Sequence, residues 1–83
     1  MQPTVTLYTL STCMACKSVK KLLSKLDVAY EFTDVDLLKS EEQNAVIEKI
    51  KAVNPRCAFP TILIGDVVIV GYREAEIRKA LGL

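Results

Sequence analysis

The order of its apolar segments is the feature of this sequence that most limits its fold. Short runs rich in β-forming residues alternate with longer segments in which apolar residues recur every three or four positions. These are the spacings of buried strands and of amphipathic helices. Strands are predicted at 5–10, 28–35, 61–64 and 67–70, and helices at 12–26, 40–53 and 73–81. The predicted order is therefore β-α-β-α-β-β-α.

The connections between the predicted strands indicate how they pair. Helices that cross between strands of one sheet imply parallel pairing in the first half of the chain. Gly65-Asp66 joins the last two strands in only two residues, which indicates an antiparallel hairpin with glycine at the first position of a type II′ turn. We therefore expect an α/β fold, a four-stranded mixed sheet with three helices, forming a single domain over residues 1–83.

Local signals predict where the first two helices begin. Thr12 is expected to be the N-cap of the first helix, with Cys13 as its first helical residue. Ser40 and Gln43 form a capping-box pattern, so Ser40 is expected to be the N-cap of the second helix. The predicted apolar faces consist of Val19, Leu22, Leu23 and Leu26 in the first helix and of Ala45, Val46, Ile50 and Val53 in the second.

Composition limits the classes of function. An apolar content of 51% and a charged content of 25% are normal for a globular protein. The formal net charge of +1 argues against a nucleic-acid partner, and the lysines of the first helix are expected to form a solvated face. No run approaches the roughly 20 apolar residues that span a bilayer, and residues 1–4 show no leader pattern. We expect a cytoplasmic protein with no membrane partner.

Cys13 and Cys16 carry the clearest chemical signal. They lie one helical turn apart at the start of the first helix, where free backbone N–H groups stabilise a thiolate. Cys13 is expected to attack a substrate and the deeper Cys16 to resolve the product. In a reducing compartment such a pair indicates redox or metal chemistry rather than a structural disulfide. The third cysteine, Cys57, is expected to be a bystander, with a secondary disulfide or a chemical modification as the alternatives.

Other polar and aromatic residues near the predicted site have simpler interpretations. Asp34 and Asp36 follow the second strand and are expected to be exposed carboxylates. Tyr8 and Phe32 are expected to pack in or near the core. Lys17 follows Cys16 directly and, with Lys20, is expected to add a supporting positive charge near Cys13; the alternative is a solvent-exposed lysine with no specific role.

Three motifs in this order make the chain resemble a small glutaredoxin-like protein of the thioredoxin superfamily. They are Cys13-x-x-Cys16 before the first helix, Phe59-Pro60-Thr61 before the third strand, and Gly71-Tyr72 before the last helix. The resemblance implies a minimal thioredoxin fold, a cis Pro60 facing the redox pair, and thiol–disulfide oxidoreductase activity with no cofactor and no bound metal. It implies catalytic roles for Cys13 and Cys16 and substrate contacts by Thr12, Met14, Phe59, Pro60, Thr61, Gly71 and Tyr72.

Two positions separate the chain from glutathione-dependent glutaredoxins. Leu10 stands where those proteins normally have a basic residue, and the loop at Gly71-Tyr72-Arg73 lacks their glycine pair and aspartate. The loop is similar to the Gly-aromatic-Arg loop of glutaredoxin-like electron donors of ribonucleotide reductase. The resemblance implies electron transport from a protein disulfide reductase, of thioredoxin-reductase type or ferredoxin-linked. The substrate would be a disulfide-containing protein, with ribonucleotide reductase as one candidate, and glutathione dependence is the alternative.

Metal carriage by the same cysteines is the alternative from another class. Two thiolates at this spacing suit Cu(I) or Zn, and some glutaredoxins hold an iron–sulfur cluster between two subunits. Small copper-chaperone domains have the order β-α-β-β-α-β and a methionine shortly before the first cysteine, where Ser11 stands here. The predicted element order therefore favours the redox interpretation.

Overall fold

The computed structural model describes residues 3–83. The expected domain spans residues 1–83, and the segment expected to show no leader pattern spans residues 1–4. The first two residues of both lie outside the described part. The predicted element order is confirmed. The elements are β1 (Val5–Thr9), α1 (Met14–Lys25), β2 (Glu31–Asp34), α2 (Ser40–Val53), β3 (Thr61–Ile64), β4 (Val67–Val70) and α3 (Glu74–Leu81), with a short 3₁₀ turn at Val35–Leu37. None of the helices within residues 3–83 is long and apolar enough to cross a membrane.

The strands form one mixed sheet in the order β2-β1-β3-β4. β1 pairs in parallel with β2 and antiparallel with β3, and β3 pairs antiparallel with β4, as predicted for the hairpin. Thr9 lies opposite Asp34, and Thr61 is paired with Tyr8 on one side and with Val70 on the other. The residues just after β1, β2 and β4 and just before β3 therefore meet at one end of the sheet. We call it the thiol end.

One face of the sheet forms the main core with α1 and α3. Successive side chains of a strand point to opposite faces, and Val5 and Leu7 of β1 are both buried on the face that meets these helices. The predicted apolar face of α1 is confirmed, since three of its four residues are buried and Leu26 packs against them. The buried cluster consists of Val5, Leu7, Val19, Leu22, Leu23, Val28, Ile62, Ile64, Ile69 and Ile77.

α2 packs through a face that matches the predicted one only in part. Ile50 is fully buried and Val46 is half-buried, but Ala45 and Val53 are exposed. Polar side chains occupy inward positions instead: Gln43 Nε2 donates to the Val35 carbonyl at 3.0 Å, and Asn54 Nδ2, at the end of the helix, donates to Thr61 Oγ1 at 3.2 Å. The prediction missed Gln43 and Asn54 because these residues satisfy their polar groups within the fold.

The predicted starts of all three helices are shifted by one residue. Cys13 rather than Thr12 is the N-cap of α1, because its backbone is extended (φ −82°, ψ 118°) and its own sulfur accepts the capping hydrogen bond. Lys39 rather than Ser40 precedes α2, and no side chain caps that helix, so the predicted capping box is wrong. The last helix begins at Glu74, with Arg73 as its N-cap.

The second strand is shorter than predicted because the chain first has to end α1. Asp27 adopts a left-handed φ of 58°, and its N–H donates to the Ser24 carbonyl at 3.1 Å. The N–H of Val28 donates to the Leu23 carbonyl at 2.9 Å, which completes a Schellman motif. β2 therefore begins only at Glu31.

Candidate active site

Cys13 lies where the loop after β1 turns into α1. Its N–H donates to the Leu10 carbonyl at 3.1 Å, and its own carbonyl accepts the N–H of Lys17 at 3.1 Å. Its Sγ accepts the N–H of Cys16 at 3.1 Å. The side chain is partly exposed, so this sulfur can meet a substrate.

Cys16 lies in the first turn of α1 and is completely buried. Burial raises the pKa of the Cys16 thiol to about 11, and its hydrogen bond with Cys13 acts in the same direction. A hydrogen bond with the Leu10 backbone and the positive charge of Lys20 act in the opposite direction. Cys16 is therefore protonated at neutral pH, and all three cysteines are free thiols in the structure.

Lys20 belongs to a polar network with Asp34 and Thr9 that was not predicted from the sequence. Its Nζ lies 3.3 Å from Asp34 Oδ1, and the same carboxylate oxygen accepts a hydrogen bond from Thr9 Oγ1 at 2.6 Å. Nζ also lies 3.8 Å from the centroid of the Phe32 ring. The expectation that Asp34 is an exposed carboxylate is wrong, since its side chain is 17% exposed. Phe32 is half exposed and supports Lys20 rather than packing in the core.

One sequence signal pointed to this network without identifying it. Lys20 follows Cys16 by four residues and so lies on the same side of the helix. Asp34 ends β2 directly opposite Thr9. The contact between them depends on the parallel register of β1 and β2, which no local pattern specifies.

Asp36 fixes the loop that leads to Cys13. Its carboxylate accepts hydrogen bonds from the Ser11 N–H at 2.9 Å and from the Ser11 hydroxyl. These hydrogen bonds lower the pKa of the Asp36 carboxyl. Asp36 is exposed as predicted, but it holds the chain two residues before the reactive cysteine.

The segment before β3 is tied to the neighbouring segments at the thiol end. The Phe59–Pro60 peptide bond is cis, and the Pro60 carbonyl accepts the N–H of Gly71 at 2.9 Å. Thr61 Oγ1 donates to the Ala58 carbonyl at 2.6 Å and accepts a hydrogen bond from Asn54. These contacts hold the Pro60 segment beside the start of the loop that follows β4.

The predicted site residues lie at the thiol end but differ in accessibility. Met14 is 74% exposed and Tyr72 is 44% exposed, so both apolar side chains are free to contact a partner. Thr61 is fully buried, so its side chain stabilises the loop and does not reach the surface. Lys17 is exposed. The remaining predicted residues are Thr12, which is exposed, Phe59 and Gly71, which are half-buried, and Pro60, which is buried.

Cys57 has no part in these contacts. It lies between α2 and Pro60, is half-buried, has a left-handed φ of 50°, and donates its N–H to the Asn54 carbonyl at 2.9 Å. Within residues 3–83, no group of three or more His, Cys, Asp or Glu side chains is placed to hold a metal ion.

Comparison with known proteins gives consistent matches over most of the chain. A family model described as Glutaredoxin matches residues 5–69. Glutaredoxin-like protein NrdH of Lactococcus lactis subsp. lactis (strain IL1403) is 36% identical over 75 residues, 90% of this chain and 96% of that protein. Glutaredoxin 1 of Rickettsia bellii (strain RML369-C) is 37% identical over 68 residues, 81% of this chain and 67% of that protein. The crystal structure of Methanosarcina acetivorans methanoredoxin has a TM-score of 0.93 at 43% identity, covering 98% of this chain and 86% of that one.

Proposed function

The chain belongs to the glutaredoxin family and is a thiol–disulfide oxidoreductase, and we propose that it reduces protein disulfides by cycling between a Cys13/Cys16 dithiol and a Cys13–Cys16 disulfide. The unequal environments of the two thiols give the strongest support. Cys13 Sγ is accessible and accepts an N–H, whereas Cys16 is buried and its pKa is raised to about 11. This difference suits one attacking and one resolving sulfur.

The cycle transfers two electrons from the dithiol to the substrate. The Cys13 thiolate attacks one substrate sulfur, the substrate S–S bond breaks, and the other substrate sulfur leaves and takes up a proton. Cys16 then loses its proton and attacks Cys13 Sγ. The bond between Cys13 and the substrate breaks, the second substrate sulfur leaves and takes up a proton, and the protein is left with a disulfide. Burial of Cys16 restricts its attack to the adjacent mixed disulfide.

Substrate contacts are assigned to the exposed part of the thiol end. Met14 follows Cys13 directly and Tyr72 follows Gly71, and both are exposed apolar side chains. The backbone at Phe59, ahead of β3, is the position at which an extended substrate segment would lie alongside the site. In this proposal Thr12 and Gly71 contribute backbone, while Pro60 and Thr61 shape the loop.

A protein disulfide reductase is the proposed electron donor, and the reducing cytoplasm the proposed setting. Leu10, half-buried at the loop before Cys13, offers no charge to a glutathione carboxylate. The Arg73 guanidinium is already engaged, since its Nε donates to the Val70 carbonyl at 3.2 Å and its terminal nitrogen lies 3.7 Å from Glu76. Ribonucleotide reductase is a candidate substrate because the loop at Gly71-Tyr72-Arg73 is similar to that of the glutaredoxin-like electron donors of this enzyme. The glutaredoxin-like relative named NrdH also matches 90% of this chain.

Reduction of insulin by three single variants tests the proposed roles. We expect Cys13→Ser to abolish turnover and Cys16→Ser to accumulate a mixed disulfide that mass spectrometry detects. Cys57→Ser removes a thiol of intermediate exposure outside the proposed cycle and is the matched control, with wild-type turnover expected. Full activity of Cys13→Ser would overturn the proposal.

The electron donor is tested with the same substrate and three reducing systems. Thioredoxin reductase with NADPH, a ferredoxin-linked reductase, and glutathione with glutathione reductase are supplied separately. We expect turnover with one of the protein reductases and little with glutathione, and a gain of glutathione-dependent turnover in Leu10→Arg. Efficient turnover of the wild type with glutathione alone would contradict the proposed donor.

A further inference from the structure

Positive charge is concentrated on the helix that carries the redox pair. α1 contains Lys17, Lys20, Lys21 and Lys25 and no acidic residue. The whole chain has 11 basic and 10 acidic residues, so seven basic and ten acidic residues remain outside α1. The net charge of α1 is therefore +4 and that of the remainder is −3.

Three of the four lysines are free to interact with a partner. Lys20 is engaged by Asp34 at 3.3 Å, but Lys17, Lys21 and Lys25 are exposed. No carboxylate in residues 3–83 lies within 4.0 Å of their ammonium groups. We call these three residues the lysine stripe.

A shallow groove runs beside the lysine stripe. It has a volume of about 220 Å³ and lies between α1 and the loop before α3, where Lys21 and Lys25 face Tyr72 and Glu74. The Glu74 carboxylate is already bound by Arg78 Nε at 2.9 Å and by the Tyr72 hydroxyl at 3.2 Å. The groove therefore offers one exposed aromatic side chain and two lysines without a direct ion pair, although the charge of Lys25 helps to lower the pKa of the Glu74 carboxyl. Its Tyr72 end adjoins Gly71, which is bonded to Pro60 at the thiol end.

The spacing of the lysine stripe matches an extended peptide. Lysines four residues apart lie about 6 Å apart along a helix axis. Side chains on one face of an extended chain recur at about 6.6 Å. The three lysines lie about 6, 12 and 18 Å from Cys13 along the axis, which corresponds roughly to the second, fourth and sixth residues from a substrate cysteine.

We propose that the lysine stripe and the adjoining groove dock an acidic, extended segment of the protein whose disulfide Cys13 reduces, with acidic side chains at alternate positions beside the reactive cysteine. This inference rests on the proposed function, because it names the chemistry of the substrate of the same site. Charge complementarity over a Debye length of about 8 Å raises the rate of encounter and holds the substrate sulfur near Cys13.

Two model peptides with the same cyclic disulfide test the proposal. One has Glu at the second, fourth and sixth positions after the reactive cysteine, and the other has Gln there. The second-order rate constant for reduction by the pre-reduced protein is measured for both at low ionic strength and at 0.5 M KCl. We expect the Glu peptide to react about tenfold faster at low ionic strength, with the difference lost in salt.

A double variant locates the effect on the protein. Lys21→Gln/Lys25→Gln should bring the ratio of the two rate constants close to one. Lys49→Gln/Lys51→Gln removes the same charge from exposed positions of α2 and should keep the wild-type ratio. A wild-type ratio near one, or a preference that survives in the Lys21/Lys25 variant, would overturn the docking proposal.

The other outcomes separate the possible failures. If the wild type reduces neither peptide, the proposed function itself fails. If both peptides react equally and the lysine stripe instead retains the protein on single-stranded DNA or on anionic lipid vesicles, the stripe serves another polyanion and the proposal is wrong.

Discussion

Cys16 is subject to opposing influences within one turn of α1. Burial and the neighbouring Cys13 raise its pKa, while the charge of Lys20 and the Leu10 backbone lower it. The balance keeps the proton on Cys16 until a mixed disulfide forms. The timing of the second step therefore depends in part on Lys20 and the Leu10 backbone, which lie outside the proposed substrate contacts.

The raised pKa of Cys16 has a consequence for stability. The folded protein holds this proton up to about pH 11, whereas an ordinary thiol loses it near 9.0. Between these values only the unfolded chain releases the proton, so the stability of the reduced protein falls as pH rises. Each pKa unit corresponds to about 1.4 kcal/mol, so we expect a loss of about 2–3 kcal/mol.

Urea unfolding of the reduced wild type and of Cys16→Ala, at pH 8 and at pH 10.5, measures this loss. Cys16→Ala keeps every other titrating group and is the reference. The difference in unfolding free energy between the two proteins should shrink by about 2 kcal/mol at the higher pH. Parallel pH dependence in the two proteins would contradict the prediction.

Lys20 acts through Cys16 and is a positioning residue in our interpretation. Replacing it by methionine removes the charge that opposes the raised pKa, so the Cys16 thiolate becomes rarer and the resolving step slows by about twofold. Stopped-flow release of substrate from the mixed disulfide, followed against pH, measures this step. The profile should shift to higher pH in Lys20→Met and return in Lys20→Arg. Lys49→Met, on α2, is the control, and an unshifted profile in Lys20→Met would exclude the role.

The start of α2 was predicted from a capping box at Ser40, but no side chain caps this helix in the structure. Lys39 occupies an extended N-cap position (φ −68°, ψ 156°) but offers no acceptor to the first turn. Lys39→Asp supplies both the acceptor and a favourable charge, and we expect it to raise the unfolding free energy by about 1 kcal/mol. Ser40→Ala should change the unfolding free energy by less than about 0.5 kcal/mol. A larger cost for Ser40→Ala, measured by urea unfolding, would restore Ser40 as the cap.

Elements defined by apolar periodicity were predictable, and contacts defined by polar partners were not. Val19, Leu22 and Leu23 identified the buried side of α1 because nothing competes with burial for those side chains. Gln43 occupies an inward position of α2 because the Val35 carbonyl accepts its hydrogen bond. The same reason explains the candidate site: the cysteine and proline motifs were visible in the sequence, but the Lys20–Asp34 pair required the sheet register.

Across the whole molecule, the two faces of the sheet are packed unequally. The main core joins the sheet to α1 and α3. α2 contributes one fully buried side chain, Ile50, which lies outside that cluster. At the end of α2, Asn54 donates a hydrogen bond to Thr61. The Thr61 side chain lies on the opposite face of the sheet from the Ile62 side chain. The helix is therefore held by few apolar contacts and several polar ones.

Hydrogen exchange should detect this asymmetry. We expect amides of α2 to exchange through a partial opening that costs less free energy than the opening of β1 and β3. Ile50→Ala should lower protection mainly in α2, by about 2–4 kcal/mol. Ile77→Ala, an equally buried isoleucine of the main core, should lower protection throughout. Equal losses across the molecule in both variants would show that α2 opens only with the rest.

The position of β1 bears on what happens while a partner is covalently attached. β1 is bonded along one edge to β2 and along the other to β3, and it leads directly into the Cys13 loop. A partner that pulls on Cys13 while covalently attached would load β1 on one side of the cysteine and α1 on the other. Such a pull shears two ladders of hydrogen bonds at once instead of peeling one from its end. The mixed disulfide therefore forms next to one of the two inner strands of the sheet, and extracting that strand requires both of its ladders to break.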